Sequence, residues 1–414
     1  MSRLVVWIAS RRAGELIQKP NGNLQFRYDP GYEGPPLSQA LPRQEQAHGH
    51  RVARAVFGGL LPEGDVRDVL ARNLGISEGN DHGLLEQVGG DVAGAITLLA
   101  DGVEPPAEPT SEPLDDERLA RMLSELPQRP LAANAAEGIR LSLAGAQPKV
   151  PVILDEHGRM ALPTNSAAPT THILKPEPER FPGLVDNEAF CMTLARECEL
   201  PAARITKART VSGTRFLVIE RYDRDLTSDP IRRLHQEDFC QALGLPADRK
   251  YQQEGGPTVA QSAQLIRRCT PVPALELPRL ISAVAFNWIV GNCDAHGKNY
   301  SLLYDQGAPT LAPLYDIVST FVYPELTTRL AMSIDGARQL EHVDAGSWVR
   351  LAGDAGYRPA FVTRTVDDLL ARAAGEAAAL IGTSAHDNDS ARQINERIQR
   401  LAGRWLPRRT AAGG

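Results

Sequence analysis

The hydrophobic pattern changes character along the chain. Short apolar runs with the length of strands open the sequence, at residues 4–9, 14–19 and 24–29. Residues 67–75 and 84–100 instead carry apolar positions at helical spacing, as do most segments after residue 231. Strands in the first half combined with helices in the second predict an α+β fold.

The same pattern predicts the domain boundaries. Residues 102–113 are acidic and rich in proline, which is typical of a linker. They separate a small N-terminal α/β subdomain, residues 1–101, from a strand-bearing lobe, residues 114–230. Residues 231–414 are mainly helical in pattern. We therefore expect a small β-rich lobe followed by a larger helical lobe, with one additional subdomain at the start.

Residues 286–316 carry the most informative spacing of polar residues. Asp294 and Asn299 lie five positions apart, and Asp316 follows after two short predicted strands. Protein kinases use a catalytic aspartate, an asparagine that binds magnesium and a second metal-binding aspartate in this order. The spacing favours phosphotransferase chemistry, with Asp294 catalytic and with Asn299 and Asp316 as oxygen ligands of a hard cation. Taken alone, the loop is equally consistent with three turn-forming residues.

Two further residues of this loop belong to the predicted nucleotide site. His296 lies between turn residues, where a histidine more often forms a structural hydrogen bond than acts as a base. Lys298 either contacts a phosphate or faces water.

The predicted phosphate-binding elements lie upstream. Ile139–Val152 has alternating apolar residues around the small tip Ala144–Ala146, which predicts a hairpin whose backbone amides close over phosphates. With one glycine, and with Pro148 lacking an amide donor, an ordinary hairpin is the alternative. Residues 170–175 predict a strand that ends at Lys175, as a phosphate-binding lysine would. An exposed lysine at a strand end is the alternative.

A predicted helix and a predicted strand complete this half of the site. The helix begins near Asn187 and puts Glu188 in its first turn, where the helix dipole favours a carboxylate and where an ion pair with Lys175 is one use of the charge. The strand covers residues 214–222, and its backbone near Glu220 and Tyr222 is expected to face the edge of an adenine base.

Eight motifs follow one another along the chain: SLAGAQPK (142–149), HILKP (172–176), DNE (186–188), IERYDR (219–224), HQEDFCQALG (235–244), KYQQEGGP (250–257), GNCDAHGKN (291–299) and PLYD (313–316). Together they closely resemble the HipA family of bacterial serine/threonine kinase toxins. The first hundred residues also look like the N-terminal domain of that family. Eight motifs in order are far more specific than any one of them, and they disfavour the reading of Asp294 and Asp316 as turn formers.

The resemblance implies a bilobal, protein-kinase-like fold and a role for each site residue. Asp294 would be the catalytic aspartate, Asn299 and Asp316 would hold Mg²⁺, and Lys175 would contact the phosphates of ATP. The loop that covers the phosphates would comprise Leu143, Ala144, Gly145, Ala146, Gln147 and Lys149. In this family the serine that opens this loop, here Ser142, is autophosphorylated, and the added charge removes the loop from the site.

The resemblance also implies partners and a substrate class. HipA kinases are usually bound by a small helix-turn-helix antitoxin of HipB type, and the complex sits on operator DNA. The implied substrate is a translation component, with aminoacyl-tRNA synthetases as the leading class. The connection between Lys175 and Asn187 is short for this family, and that region helps to engage the substrate. Two other functions stay open: a small-molecule phosphotransferase and a catalytically silent transcriptional co-repressor.

Composition agrees with a cytoplasmic multidomain enzyme. The chain has 414 residues with 42% hydrophobic and 23% charged residues, and its formal net charge of −6 argues against a free-standing nucleic-acid binder. The apolar residues 4–9 are too few to span a membrane, and the five cysteines have no CxxC spacing. In the last helix, Arg397, Arg400 and Arg404 flank an apolar stripe. A solvated face is the default reading, and contacts with DNA phosphates are the alternative.

Overall fold

The computed structural model describes residues 2–132, 141–305 and 307–410. Its strands are β1 (Ser2–Ile8), β2 (Arg11–Gln18), β3 (Leu24–Tyr28), β4 (Ile96–Ala100), β5 (Ser111–Leu114), β6 (Val150–Leu154), β7 (Met160–Pro163), β8 (His172–Pro176), β9 (Ile205–Arg209), β10 (Arg215–Glu220), β11 (Arg224–Asp225), β12 (Arg232–Arg233), β13 (His235–Asp238), β14 (Ser301–Asp305), β15 (Ala308–Leu311), β16 (Arg329–Ile334) and β17 (Ala337–Gln339).

The α-helices are α1 (His50–Ala53), α2 (Gly64–Leu74), α3 (Asp81–Val88), α4 (Asp116–Glu125), α5 (Leu184–Glu197), α6 (Phe239–Ala242), α7 (Val259–Cys269), α8 (Pro273–Val290), α9 (Ala345–Asp354), α10 (Pro359–Ile381) and α11 (Asp389–Thr410). Short 3-10 helices cover Gln252–Glu254, Gly297–Asn299 and Leu340–His342 among others. The predicted α+β class is confirmed.

The chain divides into two compact units. Unit 1 comprises Met1–Pro176, Ala208–Asp248 and Leu302–Gly307, and unit 2 comprises Glu177–Lys207, Arg249–Ser301 and Ala308–Gly414. The first unit contains most of the strands and the second most of the long helices. The last residues of the predicted linker, from Ser111 onward, belong to β5. The predicted domain limits stay predictions.

The N-terminal sheet has the strand order β3-β2-β1-β4, with antiparallel pairs. Leu4, Leu16, Phe26 and Leu98 point into one core and are completely buried. The helix predicted for residues 84–100 is wrong after Val88, because Ile96–Ala100 is strand β4. Gly89 and Gly90 end the helix. The segment Ile96–Ala100 has four apolar residues and Thr97, and this pattern suits an inner strand as well as a buried helix.

A second sheet carries the predicted phosphate-binding lysine. Its order is β5-β7-β6-β8-β10-β9. The antiparallel pairing of β8 with β10 places Lys175 opposite Leu217 and His172 opposite Glu220. Strand β8 is therefore a central strand, and the predicted strands at residues 170–175 and 214–222 are confirmed. The core beneath this sheet includes the buried Val150, Leu174 and Phe216.

The predicted hairpin before this sheet is wrong. Ile139 lies outside the described residues. Leu141 and Gly145 form only isolated parallel bridges, with Asp91 and Pro62 respectively. Strand β6 pairs with β7 and β8 instead. The segment from Leu141 to Lys149 is thus a loop held by unit 1 residues far away in sequence, and its alternating apolar residues contact the core without a partner strand.

Helices α7 and α8 lead to the segment with the predicted catalytic residues. Thr258 and Gln261 form a capping box that satisfies amides at the start of α7. Helix α8 begins at Pro273, since proline is favoured at the first position of a helix, and it ends before Gly291. Gly291 has φ 80°, and a Cβ there would lie 2.8 Å from the Cβ of Phe321, so glycine is required. No helix in the described ranges is long and apolar enough to cross a membrane.

The last helix, α11, packs along its predicted apolar stripe. Ile394 and Ile398 are completely buried, and the Trp405 indole donates to Asp367 at 2.7 Å. The solvated-face reading is wrong for Arg397. Its guanidinium lies over the Phe321 ring, 4.7 Å from the centroid, and donates to the Trp288 carbonyl at 2.9 Å. Burial lowers the pKa of Arg397 to about 10.

Candidate active site

The loop after α8 is preorganised by a chain of buried amide side chains. The backbone N–H of Asp294 donates to Asn292 Oδ1 at 3.0 Å. Asn292 Nδ2 donates to Asn287 Oδ1 at 2.7 Å, and Asn287 Nδ2 reaches the Tyr300 hydroxyl at 3.2 Å. Asn287 lies on α8, so the helix fixes the loop. A fixed backbone is the first requirement for a side chain that must meet a reacting group.

The carboxylate of Asp294 is exposed, although its neighbours on both sides are buried. The Tyr251 hydroxyl donates to Asp294 Oδ1 at 2.6 Å. Tyr251 lies in the KYQQEGGP motif, but the sequence alone predicts no role for it. An exposed carboxylate on a rigid loop is suited to accept a proton from a hydroxyl group that arrives from solution.

The two predicted metal ligands lie together. Asn299 Nδ2 donates to Asp316 Oδ2 at 3.2 Å, although the two residues are 17 positions apart in the sequence. Asn299 lies at the end of the 3-10 helix Gly297–Asn299, and its Oδ1 accepts from the His296 N–H at 3.2 Å. Asp316 follows β15 and has φ 57°. This left-handed conformation is uncommon outside glycine, and aspartate tolerates it better than most residues.

The donor chemistry of this pair fits a hard divalent cation. One carboxylate and one amide supply oxygen atoms, the ligand type that Mg²⁺ prefers. Within the described ranges, no cluster of three or more His, Cys, Asp or Glu side chains could hold a metal ion alone. Nucleotide phosphates and water would therefore supply the other ligands, as is usual for Mg²⁺ at phosphoryl-transfer sites.

His296 and Lys298 are more buried than their position in a loop suggests. Their exposed fractions are 7% and 8%, which excludes a fully solvated Lys298. The Lys298 carbonyl accepts from the Tyr315 hydroxyl at 2.7 Å, which ties the loop to the residue before Asp316. The His296 ring meets the Tyr251 ring edge to face at 5.1 Å. Both residues support the loop in this structure, and their contact with nucleotide stays a prediction.

The predicted phosphate loop lies in unit 1 and is held at Ser142 and at Gly145. Ser142 is completely buried, its N–H donates to the Asp91 carbonyl at 3.0 Å, and its hydroxyl donates to the Leu60 carbonyl at 2.8 Å. Gly145 has φ 116°, a conformation that strongly favours glycine. Its carbonyl accepts from the N–H of Glu63 at 3.2 Å. The loop is thus folded against residues 60–63.

The other residues of this loop have mixed exposure. Leu143 is buried, Ala144 and Gln147 are partly buried, and Ala146 is exposed at the tip. Lys149 Nζ donates to the Ala144 carbonyl at 2.8 Å. In this conformation the lysine closes the loop on itself.

The remaining predicted nucleotide contacts flank β8 and β10. Lys175 is only 5% exposed, so the reading of an exposed strand-end lysine is wrong. Glu220 ends β10, and the Tyr222 hydroxyl donates to Gln236 Oε1 at 2.7 Å. Both residues are partly buried. A contact of their backbone with adenine stays a prediction.

The predicted position of Glu188 needs a correction. Helix α5 begins at Leu184, three residues earlier than expected, so Asp186 is the carboxylate of the first turn. Glu188 is the fifth residue of the helix, in its second turn, and is completely buried. Gly183, with φ 80°, starts the helix early without a side-chain cap. The ion pair between Lys175 and Glu188 stays a prediction.

A buried charge network in unit 1 was not predicted. We call it the Asp91 network, and its members are Asp91, Thr170, Arg221, Asp223, Arg224 and Arg233. Arg224 donates to Asp91 Oδ1 at 2.7 Å, and the Thr170 hydroxyl donates to Asp91 Oδ2 at 2.6 Å. Arg221 pairs with Asp223 at 2.7 Å. The carbonyl of Asp91 also holds the N–H of Ser142, so the network anchors the predicted phosphate loop.

Electrostatics keep this network charged. Burial by itself raises the pKa of Asp91, but the attraction of Arg233, Arg224 and Arg221 outweighs burial and holds that pKa well below its usual range. The pKa of Asp223 is lowered in the same way, with burial opposed by Arg221 and Arg224. The motif IERYDR held a signal for this network, since Arg221, Asp223 and Arg224 come immediately after a strand with a buried apolar centre.

Comparisons with known proteins identify the family of this chain. The HipA-like C-terminal domain matches residues 141–377, and the HipA N-terminal domain matches residues 4–99. "Putative kinase Y4mE" of Sinorhizobium fredii is 45% identical over 97% of this chain and 97% of that protein. "Serine/threonine-protein kinase toxin HipA" of Shewanella oneidensis is 30% identical over 73% of this chain and 71% of that protein.

A solved structure shares the fold. The Shewanella oneidensis complex of HipA, HipB and operator DNA contains a chain that matches with a TM-score of 0.84 and 24% identity, over 98% of this chain and 97% of that one. At this identity the match supports the fold, which is the kinase-like fold of HipA. From the family domains and the relatives together, we conclude that this chain belongs to the HipA family.

Proposed function

We propose that this chain is an ATP- and Mg²⁺-dependent serine/threonine protein kinase that acts as the toxin of a toxin–antitoxin pair. The observation that carries the proposal is the arrangement in unit 2 of an exposed Asp294 on a rigid loop with Asn299 and Asp316 in contact at 3.2 Å. Phosphoryl transfer needs oxygen ligands for a cation and a carboxylate that meets the acceptor hydroxyl. Both are present on one short stretch of chain.

Each side chain then has a defined task. Asp294 accepts the proton of a serine or threonine hydroxyl as that oxygen approaches the terminal phosphate of ATP. Asn299 and Asp316 supply oxygen ligands, and the bound Mg²⁺ would neutralise phosphate charge. Lys175 and the loop from Leu143 to Lys149 contact the phosphates. The backbone from Glu220 to Tyr222 holds adenine, and Glu188 keeps Lys175 in place through an ion pair.

Self-modification at Ser142 is part of the proposal. The Ser142 hydroxyl is buried and donates to the Leu60 carbonyl at 2.8 Å. A phosphate with close to two negative charges cannot stay against a carbonyl oxygen in a buried position. The loop would therefore leave its place before or during phosphorylation and would not return afterwards. Phosphorylated protein would bind ATP poorly for this reason.

Membership of the HipA family supports a proposal for the partners and the substrate. The Shewanella oneidensis protein assembles with HipB and operator DNA, and we propose a helix-turn-helix antitoxin of HipB type and operator DNA as partners here. We propose a translation component, such as an aminoacyl-tRNA synthetase, as the protein substrate, and the cytoplasm as the location.

Transfer of labelled γ-phosphate in a bacterial lysate tests this proposal. We expect label in one or a few proteins with the wild-type chain and none with Asp294→Asn. Asp354→Asn is the matched control, since Asp354 is an exposed aspartate at the end of α9 and its replacement should leave transfer unchanged. Label in a metabolite instead of protein would support a small-molecule phosphotransferase. Absence of both phosphate transfer and ATP binding would support a silent co-repressor.

A further inference from the structure

The segment that carries Tyr251 is anchored directly to the candidate catalytic loop. The N–H of Gly297 donates to the Lys250 carbonyl at 3.2 Å, so the loop just after Asp294 is tied to the residue that precedes Tyr251. The N–H of Gly256 donates to the Tyr251 carbonyl at 2.8 Å. A Cβ at Gly256 would lie 2.6 Å from the Lys250 carbonyl oxygen, so this tight turn requires glycine.

The other end of the segment is fixed by β16. Gln252 Oε1 accepts from the Ser333 N–H at 2.8 Å and from the Ser333 hydroxyl at 3.0 Å. Gln253 accepts from Arg329 at 2.5 Å. These bonds hold both residues that follow Tyr251. The backbone from which the tyrosine side chain projects is therefore set by unit 2 itself.

The ring of Tyr251 has defined neighbours. The His296 ring contacts it edge to face, with centroids 5.1 Å apart and planes at 83°. The ammonium group of Lys250 lies 5.5 Å from the ring centroid, within the range of a cation–π contact. A ring packed between these groups keeps few rotamers, so its hydroxyl is presented at a fixed point.

At that point the hydroxyl meets Asp294. The O–H donates to Asp294 Oδ1 at 2.6 Å, a length typical of the strong hydrogen bonds that carboxylates accept from hydroxyl groups. Asp294 is exposed, and an exposed aspartate without such a bond samples several rotamers. Only the rotamer that points at the acceptor oxygen can take its proton.

The geometry points to Tyr251 as a positioning residue that selects the reactive rotamer of Asp294 through its hydroxyl group. This inference rests on the proposed kinase function, since it assigns Asp294 the proton-accepting role. The tyrosine itself touches neither ATP nor the phosphorylated residue. Its contribution is the orientation of a carboxylate in advance of acceptor binding, which lowers the barrier for the bound substrate and leaves substrate affinity unchanged.

The variant Tyr251→Phe removes one oxygen atom and keeps the ring contacts with His296 and Lys250. Tyr357→Phe is the matched control, because the Tyr357 hydroxyl also donates one hydrogen bond in unit 2, to the Leu277 carbonyl at 2.9 Å. Two readouts are needed: crystal structures of wild type and both variants, and kcat and KM for phosphate transfer to the protein substrate, with the thermal unfolding midpoint measured alongside.

In crystals, we expect the Asp294 carboxylate of Tyr251→Phe to leave its wild-type rotamer or to occupy several, and that of Tyr357→Phe to stay in place. In kinetics, we expect kcat to fall by about 10- to 100-fold with KM for ATP and substrate within about twofold of wild type. The unfolding midpoint should match that of Tyr357→Phe.

An Asp294 rotamer that is unchanged in Tyr251→Phe would overturn the inference, whether or not the wild type transfers phosphate. A wild-type kcat in this variant would do the same. A higher kcat with a lower KM in Tyr251→Phe would also overturn the inference, because it would mean that the tyrosine hydroxyl blocks the position of the acceptor. Absence of transfer by the wild type would refute the proposed function, and the crystal comparison would still decide the role of Tyr251.

Discussion

Two carboxylates of this chain, Asp91 and Asp294, lie in opposite environments. Asp91 in unit 1 is 1% exposed and is surrounded by three arginines, whereas Asp294 in unit 2 is exposed and accepts a hydrogen bond from a neutral tyrosine. The negative charge of Asp91 is compensated by arginines inside the protein, whereas the carboxylate of Asp294 stays accessible from solution. Burial with matched cations thus marks a carboxylate that builds the fold, and exposure on a rigid loop marks one that is suited to chemistry.

The strongest test of this contrast is Asp91→Asn. The change leaves the buried guanidinium groups of Arg221 and Arg224 and the partly buried one of Arg233 with one carboxylate fewer. Breaking a buried ion pair by removing one partner costs about 3 to 5 kcal/mol. Denaturant unfolding should show a lower free energy of unfolding by that amount, with Asp354→Asn unchanged as the exposed control. A loss below about 1 kcal/mol would mean that the network contributes little to stability.

Asp316→Asn tests the other side of the contrast. Asparagine tolerates a left-handed backbone as aspartate does, so the φ of 57° adds no strain to the variant. We expect phosphate transfer to fall by about 100- to 1000-fold, because a neutral ligand holds a divalent cation less well. Stability should stay within about 0.5 kcal/mol of wild type. Strong destabilisation with residual activity would instead make Asp316 a structural residue.

Glu237 sharpens the comparison, because it is a buried carboxyl held by neutral donors. Tyr304 and the backbone N–H of Gln39 donate to its Oε1, the latter at 3.0 Å. Burial raises the pKa of Glu237 to about 7. The folded protein therefore holds this proton more tightly than the unfolded chain does, so its contribution to stability is complete below the ordinary pKa of 4.5 and is lost as the pH rises through about 7.

The variant Glu237→Gln carries no titrating group at this position and therefore serves as the reference for the wild type. Between about pH 5 and about pH 8, the free energy of unfolding of wild type minus that of the variant should fall by about 2 to 3 kcal/mol. A pH-independent difference would show that Glu237 stays ionised in the folded protein.

The smallest predicted effect concerns a helix cap remote from both groups. Thr258 accepts from the N–H of Gln261 at 3.1 Å, and the Gln261 side chain accepts from the N–H of Thr258 at 2.9 Å. Thr258→Ala should lower the free energy of unfolding by about 1 kcal/mol. Phosphate transfer at a temperature well below the unfolding midpoint should be unchanged. A loss of transfer would indicate that α7 affects the neighbouring Tyr251 segment.

Spacing in the sequence predicted that Asn299 and Asp316 lie together, and their role as metal ligands stays a prediction. Asn299 and Asp316 meet as expected because the two strands between them, β14 and β15, are short and sequential. The sequence predicted a helix for the β4 segment because its four apolar residues fit the helical period as well as the strand period. The local sequence pattern does not distinguish a helix from a strand where tertiary packing decides between them.

Long-range contacts were out of reach of the sequence. Arg224 meets Asp91 across 133 positions, and Tyr251 meets Asp294 across 43. Neither pair has a periodic or motif relationship that spacing reveals, because each depends on how separate elements pack. The early start of α5 was missed for a local reason, since Gly183 begins the helix without the polar cap that marks a helix start.

Intact mass measurement after incubation with ATP and Mg²⁺ tests the central claim most directly. It would compare wild type, Asp294→Asn and Ser142→Ala. We expect a gain of one phosphate in wild type and no gain in Asp294→Asn. Ser142→Ala should gain no phosphate at that position and should still modify a separate protein substrate. A phosphate gain in Asp294→Asn equal to that of wild type would contradict the assignment of Asp294 as the catalytic residue.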